Sequence, residues 1–327
     1  MALRLLPWSP EYGTGMQFDV EANAGLNGDD SAAAVDFVER RPWEPVTPVA
    51  APPAAVQIVD GVRRAEAHAM DEAADGSLVL GLFGSYAVGA VRCDGRAQIL
   101  DDHFRVERRY FQTAGEPRSR EIAGGTSSLC FRAETPENAV TANDLVAALN
   151  RKMLDEEEKL AEFLSRDESI LTFVDGPLRL RSPGQRVVGY IKRIHRWYIP
   201  VTHQRVLGDL AVGQRTPVFR ICEGAEGRHD RLSWFLRLAD LKGHYHPLAG
   251  VMRLEVPGAL PCDAASLLAD QSALVLPGLA SSPVRDPRSP QNLTPVGALE
   301  AALTHRLGDR RWINRLLAAA IEREVVA

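Results

Sequence analysis

Two aspartates in matching contexts are the residues of this sequence best suited to chemistry. One ends the run Val-Gln-Ile-Val-Asp60-Gly61, and the other ends Leu-Thr-Phe-Val-Asp175-Gly176. Each run is short, apolar and β-branched, which is typical of a buried strand, and the glycine that follows lets the chain turn sharply. If the two strands are neighbours in one sheet, the carboxylates repel each other unless a divalent cation holds them. The pattern therefore predicts a metal site.

A third acidic element precedes the second of these strands. Residues 143–164 carry apolar side chains at helical spacing, with a gap in the apolar stripe between Met153 and Leu160. Either Glu156 or Glu157 continues the same face of the helix across that gap. A carboxylate on a buried helix face is unfavourable unless it is paired or bound to a metal. The spacing leaves the choice between the two glutamates open, and a solvated acidic run is the plainer alternative.

The residues between the two aspartates predict the rest of a sheet. The stretches 77–93 and 97–111 are typical of two strands joined by a turn, and they complete an antiparallel trio with the first strand. The chain then crosses through the acidic helix to the strand that ends at Asp175, a long connection of the kind that parallel pairing requires. Acids on the first strand, the helix and the fourth strand follow the order of RNase H-like nucleases. We therefore expect an α/β fold, with an RNase H-like mixed sheet flanked by helices.

Composition divides the chain into an arm and one larger unit. Residues 1–54 are rich in Gly, Pro, Ala and Asp, and they predict an extended N-terminal arm. Residues 55–327 predict one domain, with the sheet core over about 55–260 and C-terminal helices over about 261–327. Residues 113–142 hold two adjacent glycines and few large apolar groups, which predicts a mobile crossover loop.

Composition also excludes several classes of protein. The sequence has no apolar run long enough to cross a bilayer and no signal-peptide pattern, so we expect a cytoplasmic protein that does not engage membranes. Its four cysteines show no C-x-x-C spacing, which argues against a zinc knuckle and against a disulfide framework. The formal net charge of −5 indicates that the chain should not bind bulk duplex DNA strongly by itself.

At this level of detail the sequence resembles the NurA nucleases. The opening WSPEYG at 8–13 looks like bacterial members of that family. The remaining motifs occur in the family's order: VDG at 59–61, the acidic helix, VDGPL at 174–178, VVGYIKR at 187–193, MRLEVPG at 252–258, and the segment 286–309. The resemblance implies a metal-dependent exonuclease or endonuclease that processes single-stranded and duplex DNA ends. It also implies a homodimer, and a HerA-type hexameric ATPase as the partner.

The resemblance further implies which residues do the chemistry. A two-ion site for Mn²⁺, or for Mg²⁺ in its place, would be held by two aspartates and one glutamate of the acidic helix. The candidates are Asp60, Asp175, Glu156, Glu157 and Glu158. Lys192 would add a positive charge for the phosphate. His305 best matches the family's late active-site histidine, and a surface position on an amphipathic helix is the alternative for it.

Phosphodiester hydrolysis is consistent with this set of residues. Two divalent ions about 3.5–4 Å apart activate the nucleophile and stabilise the charge on phosphorus, and such hard ions prefer carboxylate oxygen. Cations and aromatic rings that follow the second aspartate could form a groove for single-stranded DNA. The candidates for DNA binding are Arg179, Arg181, Tyr190, Arg193 and Arg196. Ordinary surface charges around a buried aromatic core are the alternative.

Two other classes of protein remain open. A non-catalytic DNA-binding or clamp subunit of a translocase complex would keep the fold without the reaction. An actin-like phosphotransferase shares the predicted sheet and begins with an aspartate on its first strand. Such enzymes need loops rich in glycine and hydroxyl groups around ATP, and the sequence shows no Walker pattern.

Overall fold

A computed structural model provides the fold. It describes residues 4–5, 34–72, 76–124, 127–178, 186–192, 194, 198–222, 230–241, 246–282, 284, 286 and 289–326. Within these ranges, no helix combines the length and the apolar character needed to span a membrane.

In the described part of the chain, strands join into one mixed sheet. They are β1 (Arg4–Leu5), β2 (Ala34–Asp36), β3 (Ala55–Glu72), β4 (Leu78–Cys93), β5 (Ala97–Ile99), β6 (Arg105–Gln112), β7 (Arg120–Gly124), β8 (Ser127–Glu134), β9 (Ile170–Asp175), β10 (Val187–Ile191), β11 (Phe219–Cys222), β12 (Arg231–Arg237) and β13 (Val251–Pro257). The order across the sheet is β2-β11-β12-β13-β10-β9-β3-β4-β6-β8-β7, with β1 on β3 and β5 on β4. The pairs β3/β9, β9/β10 and β6/β8 are parallel.

Helices cover both faces of this sheet. They are α1 (Ala142–Leu164), α2 (Val201–Asp209), α3 (Cys262–Leu279), α4 (Thr294–Arg306) and α5 (Arg310–Val326). Leu145, Leu149 and Leu160 of α1 pack against Val59 of β3 and Val174 of β9. On the opposite face, a second apolar cluster joins α3 and α4 to the same strands; it includes Ile58, Phe173, Tyr190, Leu268, Leu299 and Leu303. The expected mixed sheet flanked by helices is therefore confirmed.

The centre of the sheet has the predicted connections. β3 pairs antiparallel with β4, and β4 pairs antiparallel with β6, which is the expected trio. The chain then passes through α1 and returns in β9, parallel to β3. The strand predicted over 97–111 is interrupted by a 3-10 turn at Asp101–His103, so it forms the two strands β5 and β6. The C-terminal helices are also present as predicted.

The first Asp-Gly pair does not end its strand, which corrects one prediction. β3 continues to Glu72, and Gly61 pairs with Val88 of β4. The reason for a glycine here is packing: a Cβ on Gly61 would overlap Glu157 Oε1 and would lie 2.9 Å from Met153 Cγ, both on α1. Only the second Asp-Gly pair ends its strand, as predicted. Gly176 has φ +90° and follows the last residue of β9.

The predicted mobile loop over 113–142 was also wrong in part. It contains β7 and β8, which form an antiparallel hairpin, and β8 lies parallel to β6. Ile122 and Phe131 of this hairpin are buried against Ile313 and Leu317 of α5. Because those apolar partners come from the end of the chain, the local sequence shows little of the burial that stabilises the hairpin.

Arg215 holds the described part of the N-terminal arm to the domain. Its guanidinium donates to both carboxylate oxygens of Glu39, at 2.9 and 3.2 Å, and to Asp270 Oδ1 of α3 at 2.7 Å. The Arg215 side chain is only 2% exposed. Burial raises the pKa of Glu39, but Arg215 and the Val218 N–H outweigh that effect, so the pKa is lower than usual. The charges of Arg215, Glu39 and Asp270 therefore stabilise one another.

We expect Arg215→Met to lower the free energy of unfolding by about 3–5 kcal/mol, because it removes the buried cation that two largely buried carboxylates share. Arg41 is a matched control, since it also pairs with Glu39, at 3.3 Å, but its side chain is 42% exposed. Arg41→Met should change the free energy by less than about 1 kcal/mol. Urea unfolding of both variants is the measurement, and equal losses would contradict this role of Arg215.

Candidate functional site

Asp60 and Asp175 lie side by side near the middle of the sheet. In the parallel pair β3/β9, Val59 is opposite Val174, so the next residue on each strand is one of the two aspartates. Ile58 and Phe173, two residues earlier, pack on the face covered by α3 and α4. Since side chains alternate along a strand, both carboxylates point to that same face. The predicted adjacency of the two aspartates is confirmed.

Lys192 is the cation of this cluster. Its Nζ lies 2.7 Å from Asp175 Oδ2 and donates to Asn292 Oδ1 at 3.0 Å. Asn292, which precedes α4, in turn donates to Asp286 Oδ2 at 2.6 Å. Burial lowers the pKa of Lys192, but attraction to Asp175 and Asp60 outweighs it and raises the pKa above its usual value. Lys192 therefore stays charged and links β9 to the segment before α4.

The Asp60 carboxylate is buried, and neighbouring groups balance its negative charge only in part. Asp60 is 4% exposed, and its Oδ2 has no hydrogen-bond partner within the described ranges. Burial raises the pKa of Asp60; Lys192 opposes this, Asp175 and Glu300 add to it, and the pKa reaches about 8. A carboxylate in this setting binds either a proton or an additional cation near neutral pH.

Tyr190 completes the row formed by the two aspartates. It lies opposite Asp175 on β10 and is fully buried in the apolar cluster with α4. Its hydroxyl has no hydrogen-bond partner among the residues that the structure describes. Burial raises the pKa of Tyr190 well above its usual value, and the charges of Asp175 and Asp60 raise it further. The phenol is thus neutral, and its burial does not agree with the predicted stacking on DNA bases.

The structure directs the two candidate glutamates of α1 to different places. Glu157 is 2% exposed and packs against Gly61, the residue after Asp60. Glu156 instead accepts from Lys159 Nζ at 2.6 Å and lies 3.9 Å from the guanidinium of Arg105 on β6. Glu157 is therefore the glutamate on the buried face, which the spacing alone left open. It approaches β3 from the face opposite to the aspartate carboxylates, whereas the resemblance implies that this glutamate shares their site.

Helix α4 supplies an acidic residue that the sequence analysis missed. Glu300 lies on α4, which packs on the sheet face that carries the acidic pair, and its charge raises the pKa of Asp60 and acts on Lys192 and Tyr190. Its apolar neighbours Val296, Leu299 and Leu303 are all buried. The sequence does show a carboxylate at the border of this apolar helix face. It does not connect that carboxylate to the buried aspartates, which are more than a hundred residues away in sequence.

The other predicted site residues lie apart from this cluster or outside the described residues. His305 is exposed in the last turn of α4. It is five residues after Glu300, which at about 100° per residue places it about 140° around the helix. The four candidate arginines fall outside the described ranges; they are Arg179, Arg181, Arg193 and Arg196.

The donor chemistry of the acidic pair suits a hard divalent ion. Mn²⁺ and Mg²⁺ prefer carboxylate oxygen, and Asp60 Oδ2 is a buried acceptor whose hydrogen-bonding capacity is unused by the described residues. A complete ligand set is not formed, however: across the part of the chain that the structure describes, no three His, Cys, Asp or Glu side chains are grouped closely enough to hold a metal. The nearest described cation to Asp175 Oδ2 is the ammonium of Lys192.

Comparisons with known proteins do not assign the chain. Its sequence matches no model of a known protein family, and it matches no curated protein at a significant level. The resemblance to NurA thus depends on the short motifs and on the site residues themselves.

The burial of Asp60 predicts how stability depends on pH. The pKa of Asp60 is raised from 3.8 to about 8, so the folded metal-free protein binds a proton that the unfolded chain releases. The contribution of Asp60 to the free energy of unfolding is therefore largest below about pH 4, and it decreases as the pH rises toward about pH 8. Asp60→Asn should remove that slope and raise the free energy of unfolding at about pH 8 by about 1–3 kcal/mol.

Urea unfolding at several pH values, with a chelator present, tests this expectation. Asp102→Asn, at an exposed aspartate, is the matched control and should keep the wild-type slope. If Asp60→Asn shows the same pH slope as wild type, the carboxylate of Asp60 is not held in the environment that the structure shows.

Proposed function

We propose that this protein is a metal-dependent DNA nuclease that processes single-stranded and duplex DNA ends with Mn²⁺ or Mg²⁺. The observation that carries the proposal is the adjacency of Asp60 and Asp175 on one face of two parallel strands, with Asp60 Oδ2 unpaired within the described residues. Carboxylates placed in this way are suited to bind the hard cations that phosphodiester hydrolysis uses. The NurA resemblance of the sequence supports the same reaction.

An RNase H-like core is the finer part of the proposal. Three consecutive antiparallel strands, β3, β4 and β6, are followed by the crossover helix α1 and by β9 parallel to β3. The two aspartates lie on the first and the fourth of these strands, and Glu157 lies on the helix between them. Acids on the first strand, the helix and the fourth strand follow the order of RNase H-like nucleases, but Glu157 reaches β3 from the face opposite to the aspartate carboxylates.

Each residue of the cluster has a role in such a reaction. Asp60 and Asp175 would hold the divalent ions, which when bound activate water and neutralise the charge that develops on the phosphate. Lys192, now 2.7 Å from Asp175 Oδ2, is the positive group of the site that can contact a phosphate oxygen. The Tyr190 hydroxyl makes no hydrogen bond within the described residues, so it is a donor that remains available to a bound ligand.

The proposed oligomeric state and the proposed partner of the enzyme come from the resemblance to NurA. We propose a homodimer that receives DNA from a HerA-type hexameric ATPase. The formal net charge of −5 supports delivery of DNA by a partner, because an acidic protein attracts bulk duplex only weakly. The candidate DNA-binding arginines follow Asp175 closely in sequence, which would place them near the scissile bond.

A non-catalytic DNA-binding or clamp subunit is the second candidate. The observation that favours it is that the described residues include no group of three metal ligands, while Lys192 already pairs with Asp175. Such a subunit would bind DNA and its translocase without cleaving DNA. A phosphotransferase is a weaker alternative, because the sequence offers no phosphate-binding loop.

The decisive experiment is a nuclease assay with Mn²⁺ on wild type, Asp60→Asn and Asp175→Asn. We expect cleavage of linear DNA by wild type and a loss of about 100-fold or more in each variant, because each removes a proposed carboxylate ligand of the ions that stabilise the charge on the phosphate. Asp60→Asn should be at least as stable as wild type, so its loss of activity would not reflect unfolding. DNA binding without cleavage by wild type would instead support the clamp subunit.

The two glutamates of α1 offer a matched pair of variants. Glu157→Gln should reduce Mn²⁺-dependent cleavage by about 10-fold to 100-fold, the range usual for groups that support metal ligands, since Glu157 packs against Gly61, the residue that follows Asp60 in β3. Glu156→Gln should leave cleavage within about twofold, because Glu156 forms a surface pair with Lys159. The reverse order of these effects would contradict a supporting role for Glu157 and would assign that role to Glu156.

A further inference from the structure

The chain that leaves Asp175 is held by a carboxylate two strands away. Oε1 of Glu255, on β13, accepts the backbone N–H of Leu178 at 3.1 Å. Between these residues, Gly176 turns the chain with φ +90° and donates its N–H to the Tyr190 carbonyl at 3.0 Å. Residues 175–178 therefore have two tethers, one on β10 and one on β13.

Gly189 allows this segment to cross β10 closely. A Cβ on Gly189 would lie 2.7 Å from the Gly176 carbonyl oxygen and 2.9 Å from Leu178 Cγ. Gly189 is also opposite Glu255 in the β10/β13 pair. The missing side chain on β10 thus makes room for the chain to pass over it and reach the carboxylate on the next strand.

Glu255 is fixed from its other side by two arginines. It is 0% exposed; its Oε2 accepts from the Arg253 guanidinium at 2.8 Å, and Arg231 lies 3.4 Å from both carboxylate oxygens. That pairing leaves Oε1 directed at Leu178, so the carboxylate also connects the ion pair to the segment after Asp175.

We propose that Glu255 is a positioning residue for Asp175, acting through the backbone of Leu178. Pro177 has a fixed φ and no N–H, so few torsions are free between Asp175 and the Leu178 amide. Holding that amide therefore sets the direction in which the chain leaves β9, and with it the orientation of the Asp175 carboxylate. The inference rests on the proposed function for its metal-binding consequence, but not for the tether itself.

Hydrogen exchange and Mn²⁺ binding test the two parts separately. In Glu255→Met the Leu178 amide loses its acceptor, and its exchange should accelerate by about 10-fold or more. The dissociation constant for Mn²⁺, measured by electron paramagnetic resonance on the protein alone, should rise by about 10-fold to 100-fold. Glu255→Gln keeps an oxygen for the Leu178 N–H and should restore most of both properties.

Two further variants separate positioning from general destabilisation. Gly189→Ala displaces residues 176–178 without touching Glu255, and it should weaken Mn²⁺ binding in the same range even if Glu255→Met fails to fold. Arg215→Met breaks a buried ion cluster elsewhere in the domain and should leave both Leu178 exchange and Mn²⁺ affinity as in wild type.

Three results would overturn this inference. One is normal protection of the Leu178 amide from hydrogen exchange in Glu255→Met. Another is unchanged Mn²⁺ affinity in Glu255→Met and Gly189→Ala although the Leu178 amide exchanges faster. The third is an equal loss of affinity in Arg215→Met. If the wild-type protein binds no Mn²⁺ and cleaves no DNA, the proposed function is refuted. Hydrogen exchange of the Leu178 amide would then still test whether Glu255 holds this segment.

Discussion

The structure around the site depends on the repulsion between two adjacent carboxylates. Neighbouring strands are about 5 Å apart, and like charges at that separation repel by about 3 kcal/mol at an effective dielectric constant of about 20. Here Asp60 is 4% exposed, so little water reaches it, and Lys192 is the described cation that opposes the repulsion. Lys192 in turn binds Asn292, which places the start of α4 over the sheet. Helix α4 then brings Glu300 to the same cluster.

The two faces of the central sheet contribute differently to this site. Asp60, Asp175 and Tyr190 point toward α4, whereas Glu157 of α1 reaches Gly61 from the opposite face. Gly61 is therefore needed for close approach of a helix rather than for a turn. The end of β9 at Gly176 lets the chain leave the sheet beside the aspartates, where Glu255 holds it. A site at the end of a parallel strand is a common place for ligands in α/β sheets.

Much of the central fold could be predicted from the sequence because the signals were local and periodic. The alternation and apolar runs predicted the antiparallel trio and the strand ending at Asp175, and the helical stripe predicted α1. The β7–β8 hairpin was missed because its apolar partners, Ile313 and Leu317, lie on α5 at the other end of the chain. The continuation of β3 past Asp60 was missed because an Asp-Gly pair usually signals a turn, and pairing with β4 overrode that preference.

The sequence by itself determined that two aspartates end or interrupt buried strands and that an acidic helix lies between them, because strand and helix periods are written into neighbouring residues. Only the tertiary structure decided that Glu157 rather than Glu156 packs against Gly61, and that Tyr190 belongs to the core. It also decided that the charge of Glu300 acts on Asp60 and that Glu255 binds the Leu178 amide. Those relations join residues far apart in the chain. They depend on strand register and on which face each helix covers, and no local pattern specifies either.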